Sequence, residues 1–95
     1  TKEEEQLLSG EIMDIFKEFG SIRTMDPASE QPQQLVGKLQ AFITNHFYTC
    51  TLEILQSLGA MYGGGGSMTE NIDKAGGEGT AEFTQRAINL FCSHN

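Results

Sequence analysis

The chain lacks tryptophan and has two prolines, two cysteines and only six lysines and arginines, set against thirteen aspartates and glutamates. Each scarcity excludes something. With a formal net charge of −7 and its cations scattered, this segment is not expected to grip a phosphate backbone or bind DNA by itself. Cysteines at 50 and 92 are too few for a disulfide framework, and 95 residues with 38% hydrophobic content can build a modest core without one. They read as reduced thiols of a cytoplasmic protein. No apolar run approaches the roughly 20 residues of a membrane span, and no secretory signal is present. No stretch alternates with a period of two over strand length, and no Asn-Gly or Asp-Gly pair marks a hairpin.

What is there is helical. Leu8, Ile12, Ile15, Phe16, Phe19 and Ile22 recur at three and four, which predicts a first helix over 2–22, opened by a capping box of Thr1 and Glu4. Gly10 lies inside it. Pro27 forces a turn, Ser29 is placed to cap a second helix over 30–47, and Pro32 falls harmlessly in its first turn. Leu35, Leu39, Phe42, Ile43, His46 and Phe47 form its stripe. Thr51 is an N-cap for a third helix over 52–62, with Glu53 at the positive end of the dipole and Gly59 permitting a close neighbour. Gly63, Gly64, Gly65 and Gly66 end that helix and read as the most mobile internal loop. Ser67 with Glu70 makes a second capping box for a short fourth helix over 68–75, stopped by Gly76 and Gly77. Thr80 caps a fifth that reaches Cys92 and turns Phe83, Ala87, Ile88 and Phe91 inward. The expected fold is all-α, one domain of about five helices with short connections.

The stretch from His46 to Tyr62 concentrates the residues suited to recognition: both tyrosines, a histidine, a cysteine and Met61. Catalysis is not expected, because Ser57 has no sequence-local base and the acids lie mostly on solvent faces. His46 and Cys50 are spaced like two metal ligands, but two ligands are not a site, and the helix breaks between them. Haem would need a histidine deep in a porphyrin-sized pocket, and His46 is the sole candidate. Met61 is adaptable, and a buried Tyr48 or Tyr62 phenol wants a hydrogen-bond partner that a ligand pocket can supply.

His46-Phe47-Tyr48-Thr49-Cys50, then Leu58-Gly59-Ala60-Met61-Tyr62, Asn71-Ile72-Asp73, Gly79-Thr80-Ala81-Glu82-Phe83 and Ala87-Ile88 form an ordered set of blocks. In that order the chain resembles the TipAS antibiotic-recognition domain of MerR-family transcription regulators, over most of its length from Thr1. The resemblance implies a globin-like arrangement of helices and one ligand-sensing domain over 1–95, the C-terminal part of a longer regulator. It implies a hydrophobic antibiotic or drug-like ligand, bound without catalysis and without a cofactor. Its DNA-binding domain, dimerising coiled coil and aromatic lid would precede Thr1, so DNA would be contacted only through an N-terminal domain, and the full-length protein would be a homodimer. No membrane partner is implied.

The ligand-binding residues expected on these grounds are Phe42, His46, Phe47, Tyr48, Cys50, Ser57, Met61, Tyr62 and Phe83. Ser57 stands where the family's reactive cysteine is found, whereas Cys50 matches a second family cysteine just before the same helix. A serine hydroxyl without a base is a poor nucleophile, so covalent capture at that position is not expected. The family's Asp and Arg-Phe pair are replaced here by Gly63 to Ser67, which implies a looser pocket wall. The alternative is a helical protein-interaction module that binds a partner helix.

Overall fold

In a computed structural model, the protein is described over residues 2–95 for the backbone and 9–95 for the side chains. The Thr1–Glu4 capping box and Leu8 lie outside the described side chains. Five helices account for the fold, and no strand occurs among the described residues: α1 (Lys2–Ser21), α2 (Glu30–His46), α3 (Leu52–Tyr62), α4 (Ser67–Gly76) and α5 (Thr80–His94). The all-α, five-helix expectation holds.

The packing is not sequential. Helix α5 lies against all four others, α1 crosses α4, and the consecutive helices α2 and α3 make no substantial contact. A regular up-and-down bundle would pair consecutive helices. Here the interior is Ile15, Phe16 and Phe19 of α1, Val36, Leu39 and Ile43 of α2, Leu55 and Tyr62 of α3, Ile72 of α4, and Ala81, Phe83, Ala87 and Ile88 of α5. Phe16 meets Tyr62 edge-on with centroids 5.0 Å apart, and Phe19 meets Phe83 at 6.4 Å, so two aromatic pairs tie α1 to α3 and α5.

Where α1 crosses α4, Gly20 and Gly76 face each other, and a Cβ built on Gly20 would overlap the Gly76 backbone. Only a residue without a side chain permits that approach. Arg23, just past α1, fastens the same crossing: its guanidinium donates to the carbonyls of Gly20 (2.6 Å), Gly76 (3.0 Å) and Glu78 (3.1 Å). Two of these carbonyls belong to helix C-termini, where a cation is favoured by the dipole.

The caps divide. Thr51 accepts from the Ile54 amide at 3.2 Å as its sequence position predicts. Ser29 occupies the N-cap position of α2 in extended conformation, but its hydroxyl donates to the Asp26 carbonyl and makes no cap. Ser67 and Thr80 are the first residues of their helices, because Gly66 and Gly79 take the N-cap positions ahead of them. Asp73, eight residues upstream, accepts from the Ala81 amide at 2.9 Å and serves the start of α5 instead.

The loop after α3 is a specified turn. Thr69 Oγ1 donates to the Tyr62 carbonyl (2.6 Å) and accepts from the Gly65 amide (2.9 Å), and Gly65 has φ +92°. Alanine at Gly65 is therefore strained, unlike in a slack tether.

The glycine crossing yields a paired prediction. Gly20→Ala should destabilise the fold by about 2–3 kcal/mol, as expected for overpacking against backbone that cannot yield, lowering Tm by roughly 10 °C or more for a chain of this size. Gly10→Ala, with nothing near its added methyl group, should stabilise by about 0.5–1 kcal/mol through helix propensity. Calorimetry of the two variants checks both signs.

Candidate functional site

The nine residues expected to bind ligand fall into three groups. The first lies on the outer face of α3. Its inner face, Leu55, Gly59 and Tyr62, is buried, Tyr62 against Phe16 of α1 and Gly59 against α5, where a Cβ on Gly59 would come within 3.0 Å of the Ile88 side chain. On the flank of that face Ile54 and Leu58 are only partly buried, packed against the core, and with the exposed Glu53, Ser57 and Met61 they line an open groove of about 420 Å³. Ser57 and Met61 were legible as site residues; Glu53, Ile54 and Leu58 were not. The signal was present, because α3 is apolar on more sides than burial against α5 requires.

The second group sits at the end of α2 and in the link to α3. Phe42 packs on His46 with ring centroids 4.6 Å apart and on Phe47 at 6.1 Å. Phe47, Tyr48 and Met61 are among the most exposed large apolar side chains, at 53%, 50% and 51%. The predicted stripe of α2 thus ends in solvent at His46 and Phe47 and does not close on α3. Val36, outside the predicted stripe, completes the buried face with Leu39 and Ile43. The link is nevertheless fixed. Gln40 Nε2 donates to the Cys50 carbonyl (2.8 Å), and the Cys50 amide donates to Thr44 Oγ1 (3.1 Å).

The third group is interior: Cys50, Tyr62 and Phe83 are buried. Phe83 edges a separate depression with Arg23, Met25 and Arg86, remote in sequence from the α3 groove. Phe42 borders another, between α1 and α2, with Glu11, Asp14, Glu18 and Lys38. These depressions, each lined by described residues, separate Phe42 and Phe83 from Ser57 and Met61 rather than gather them.

Two features of the site bear on chemistry. Ser57 Oγ donates to the Glu53 carbonyl at 3.1 Å, a bond within the helix that supplies no base. The thiols of Cys50 and Cys92 are free and approach consecutive carbonyls at the start of α3, Thr51 for the first and Leu52 for the second. Burial pushes both thiols up, and for Cys50 the neighbouring Cys92 adds to the rise, so neither presents a thiolate at neutral pH. Among the described residues no group of three or more His, Cys, Asp or Glu could hold a metal ion. No described helix is long and apolar enough to cross a membrane.

The model of the TipAS antibiotic-recognition domain matches residues 1–91. The chain belongs to that family. Among curated proteins it is similar to the HTH-type transcriptional activator mta of Bacillus subtilis (strain 168), 30% identical over 87 residues, which cover 92% of this chain and 34% of the relative. The chain therefore spans about a third of that relative's length. No solved structure matches significantly. Within this TipAS domain, Ser57 lies in the middle of the α3 groove.

Tyr62 gives the site's interior a measurable signature. Burial first, then the nearby Tyr48 phenol and the Cys50 thiol, push its pKa up to about 12. The neutral phenol is thus favoured in the fold, so its contribution is complete below the unfolded value near 10 and is lost as pH climbs from about 10 to 12. Against Tyr62→Phe, the native chain should lose about 2 kcal/mol of relative stability between pH 8 and pH 11.5. Urea titrations of both proteins at pH 8 and pH 11.5 measure the difference.

Proposed function

We propose that this TipAS domain is the effector-binding part of a MerR-type transcription regulator, and that it binds hydrophobic antibiotic or drug-like molecules without transforming them. Family membership supports the regulatory class. The observation that carries the ligand reading is the outer face of α3: Ile54, Leu58 and Met61 form an apolar strip beside a groove, held rigidly by the burial of the opposite face on α5. Soluble domains usually cover such a strip or use it.

On this reading Leu58 and Met61 supply contact area, Met61 adapting to ligand shape, while Ser57 leaves binding reversible. Phe42, His46, Phe47 and Tyr48 form a neighbouring aromatic surface, and the buried Cys50, Tyr62 and Phe83 support the fold beneath. DNA binding and homodimer formation belong to other parts of the full-length regulator. Ligand binding would shift the regulator's populations by differential affinity for its active form.

A second reading draws on the groove's openness. A shallow apolar strip at helical spacing also suits a partner helix. The two are separated by whether a small molecule alone engages the face.

The test introduces the missing nucleophile. In a Cys50→Ala, Cys92→Ala background, Ser57→Cys should form a covalent adduct with a dehydroalanine-bearing thiopeptide, seen as a mass increase equal to the ligand. The thiol adds across the dehydroalanine double bond, sulfur to the methylene carbon and a proton to the α-carbon, so nothing leaves. The same background retaining Ser57 should give no adduct. Absence of an adduct on Ser57→Cys, with the fold intact by circular dichroism, would contradict the placement of the ligand on this face.

A further inference from the structure

Resting on the reading of the α3 face as a ligand site, we infer that this face selects lipophilic monocations, with Glu53 as the counter-charge and Ile54, Leu58 and Met61 as the apolar bed. Among the described residues Glu53 is the only charged one that lines the groove. Among the described residues it makes no ion pair, whereas Lys17, Lys38 and Arg86 pair with Asp14, Glu18 and Glu82. Arg23 is engaged by three backbone carbonyls. Ser57 turns its hydroxyl to the Glu53 carbonyl rather than the carboxylate.

The charge balance decides the ligand class. An anion would meet both the Glu53 carboxylate and a chain of net charge −7. A neutral molecule gains only the apolar bed. A cation with an apolar body gains the bed and the carboxylate together. One effect opposes this: Glu53 lies in the first turn of α3, where the dipole presents about half a positive charge. A full carboxylate charge on the ligand's side outweighs it, and Thr51 already satisfies the Ile54 amide at that end.

Geometry sets the ligand's length. Glu53 and Met61 are eight residues apart, about 12 Å along the helix axis. The cationic end belongs near Glu53 and the apolar body reaches towards Met61, the span of a compact multi-ring cation.

Tetraphenylphosphonium and tetraphenylborate have nearly the same shape and opposite charge, which makes them the probes. Amide shifts of the 95-residue chain locate each probe and give its affinity, with triphenylphosphine oxide as the neutral comparison. The phosphonium should perturb residues 53–61 and bind about tenfold more tightly than the borate. Glu53→Gln should weaken it about fivefold, the scale of one partly exposed charge pair. Glu30→Gln, which changes net charge equally on another helix, should leave it within twofold. Raising salt from 20 to 500 mM should narrow the preference. Equal or tighter binding of the borate at residues 53–61, or an affinity indifferent to Glu53→Gln, overturns the cation preference and leaves the α3 face standing as a ligand site. If none of the three probes perturbs residues 53–61, the ligand reading of that face fails as well.

Discussion

The fold depends on two glycines in contact. Gly20 near the end of α1 and Gly76 at the end of α4 bring two backbones together at a distance no side chain would allow, and Arg23 bonds to the exposed carbonyls of both helices. A close crossing leaves the C-terminal carbonyls of α1 and α4 side by side, with their partial negative charges adding. The guanidinium offsets that repulsion and satisfies carbonyls that helix ends leave unpaired. Charge and close packing therefore act at one point.

From that crossing the order of the structure can be followed outward. Fixing α4 places Asp73 on the Ala81 amide and the Gly77 carbonyl on the Thr80 amide and hydroxyl, which starts α5 in one direction. Helix α5 then runs through the middle of the domain and buries one side of α3 through Ile88 and Gly59. What remains of α3 is an outer strip with a fixed orientation. The link from α2 adds stiffness without burial, because Gln40, Thr44 and Thr51 tie its backbone while Phe47 and Tyr48 stay half in solvent. A strip held this way can present the same surface to ligands without spending free energy on ordering itself.

The helices were legible because period and punctuation agreed: the stripe through Ile15, Phe16 and Phe19, the Pro27 turn and the Thr51 cap all correspond to observed features. Ser67 and Thr80 sit one residue inside the helices that their sequence positions predict them to cap, because a glycine precedes each and tolerates the N-cap position without a side-chain acceptor. Ser29 has the sequence position of a cap, but its hydroxyl donates to the Asp26 carbonyl instead. The candidate site was harder to read. Recognition residues concentrate between positions 46 and 62, yet helix spacing alone cannot say that α2 and α3 make no substantial contact with each other and pack instead on α5. Sequence proximity thus grouped Tyr62, which points into the core, with Met61, which points out, although adjacent residues on a helix face about 100° apart.

The claim on which the functional account rests is that ligands meet the outer face of α3. Methyl NMR of the four methionines tests it directly, because Met61 lies in the α3 groove, Met25 is comparably exposed beside a different depression, and Met13 and Met68 are partly buried on other helices. On titration with a thiopeptide, the Met61 methyl resonance should shift or broaden first and furthest, with Met25 unmoved. A response led by Met25, or one spread evenly over all four methyl groups, would contradict the account.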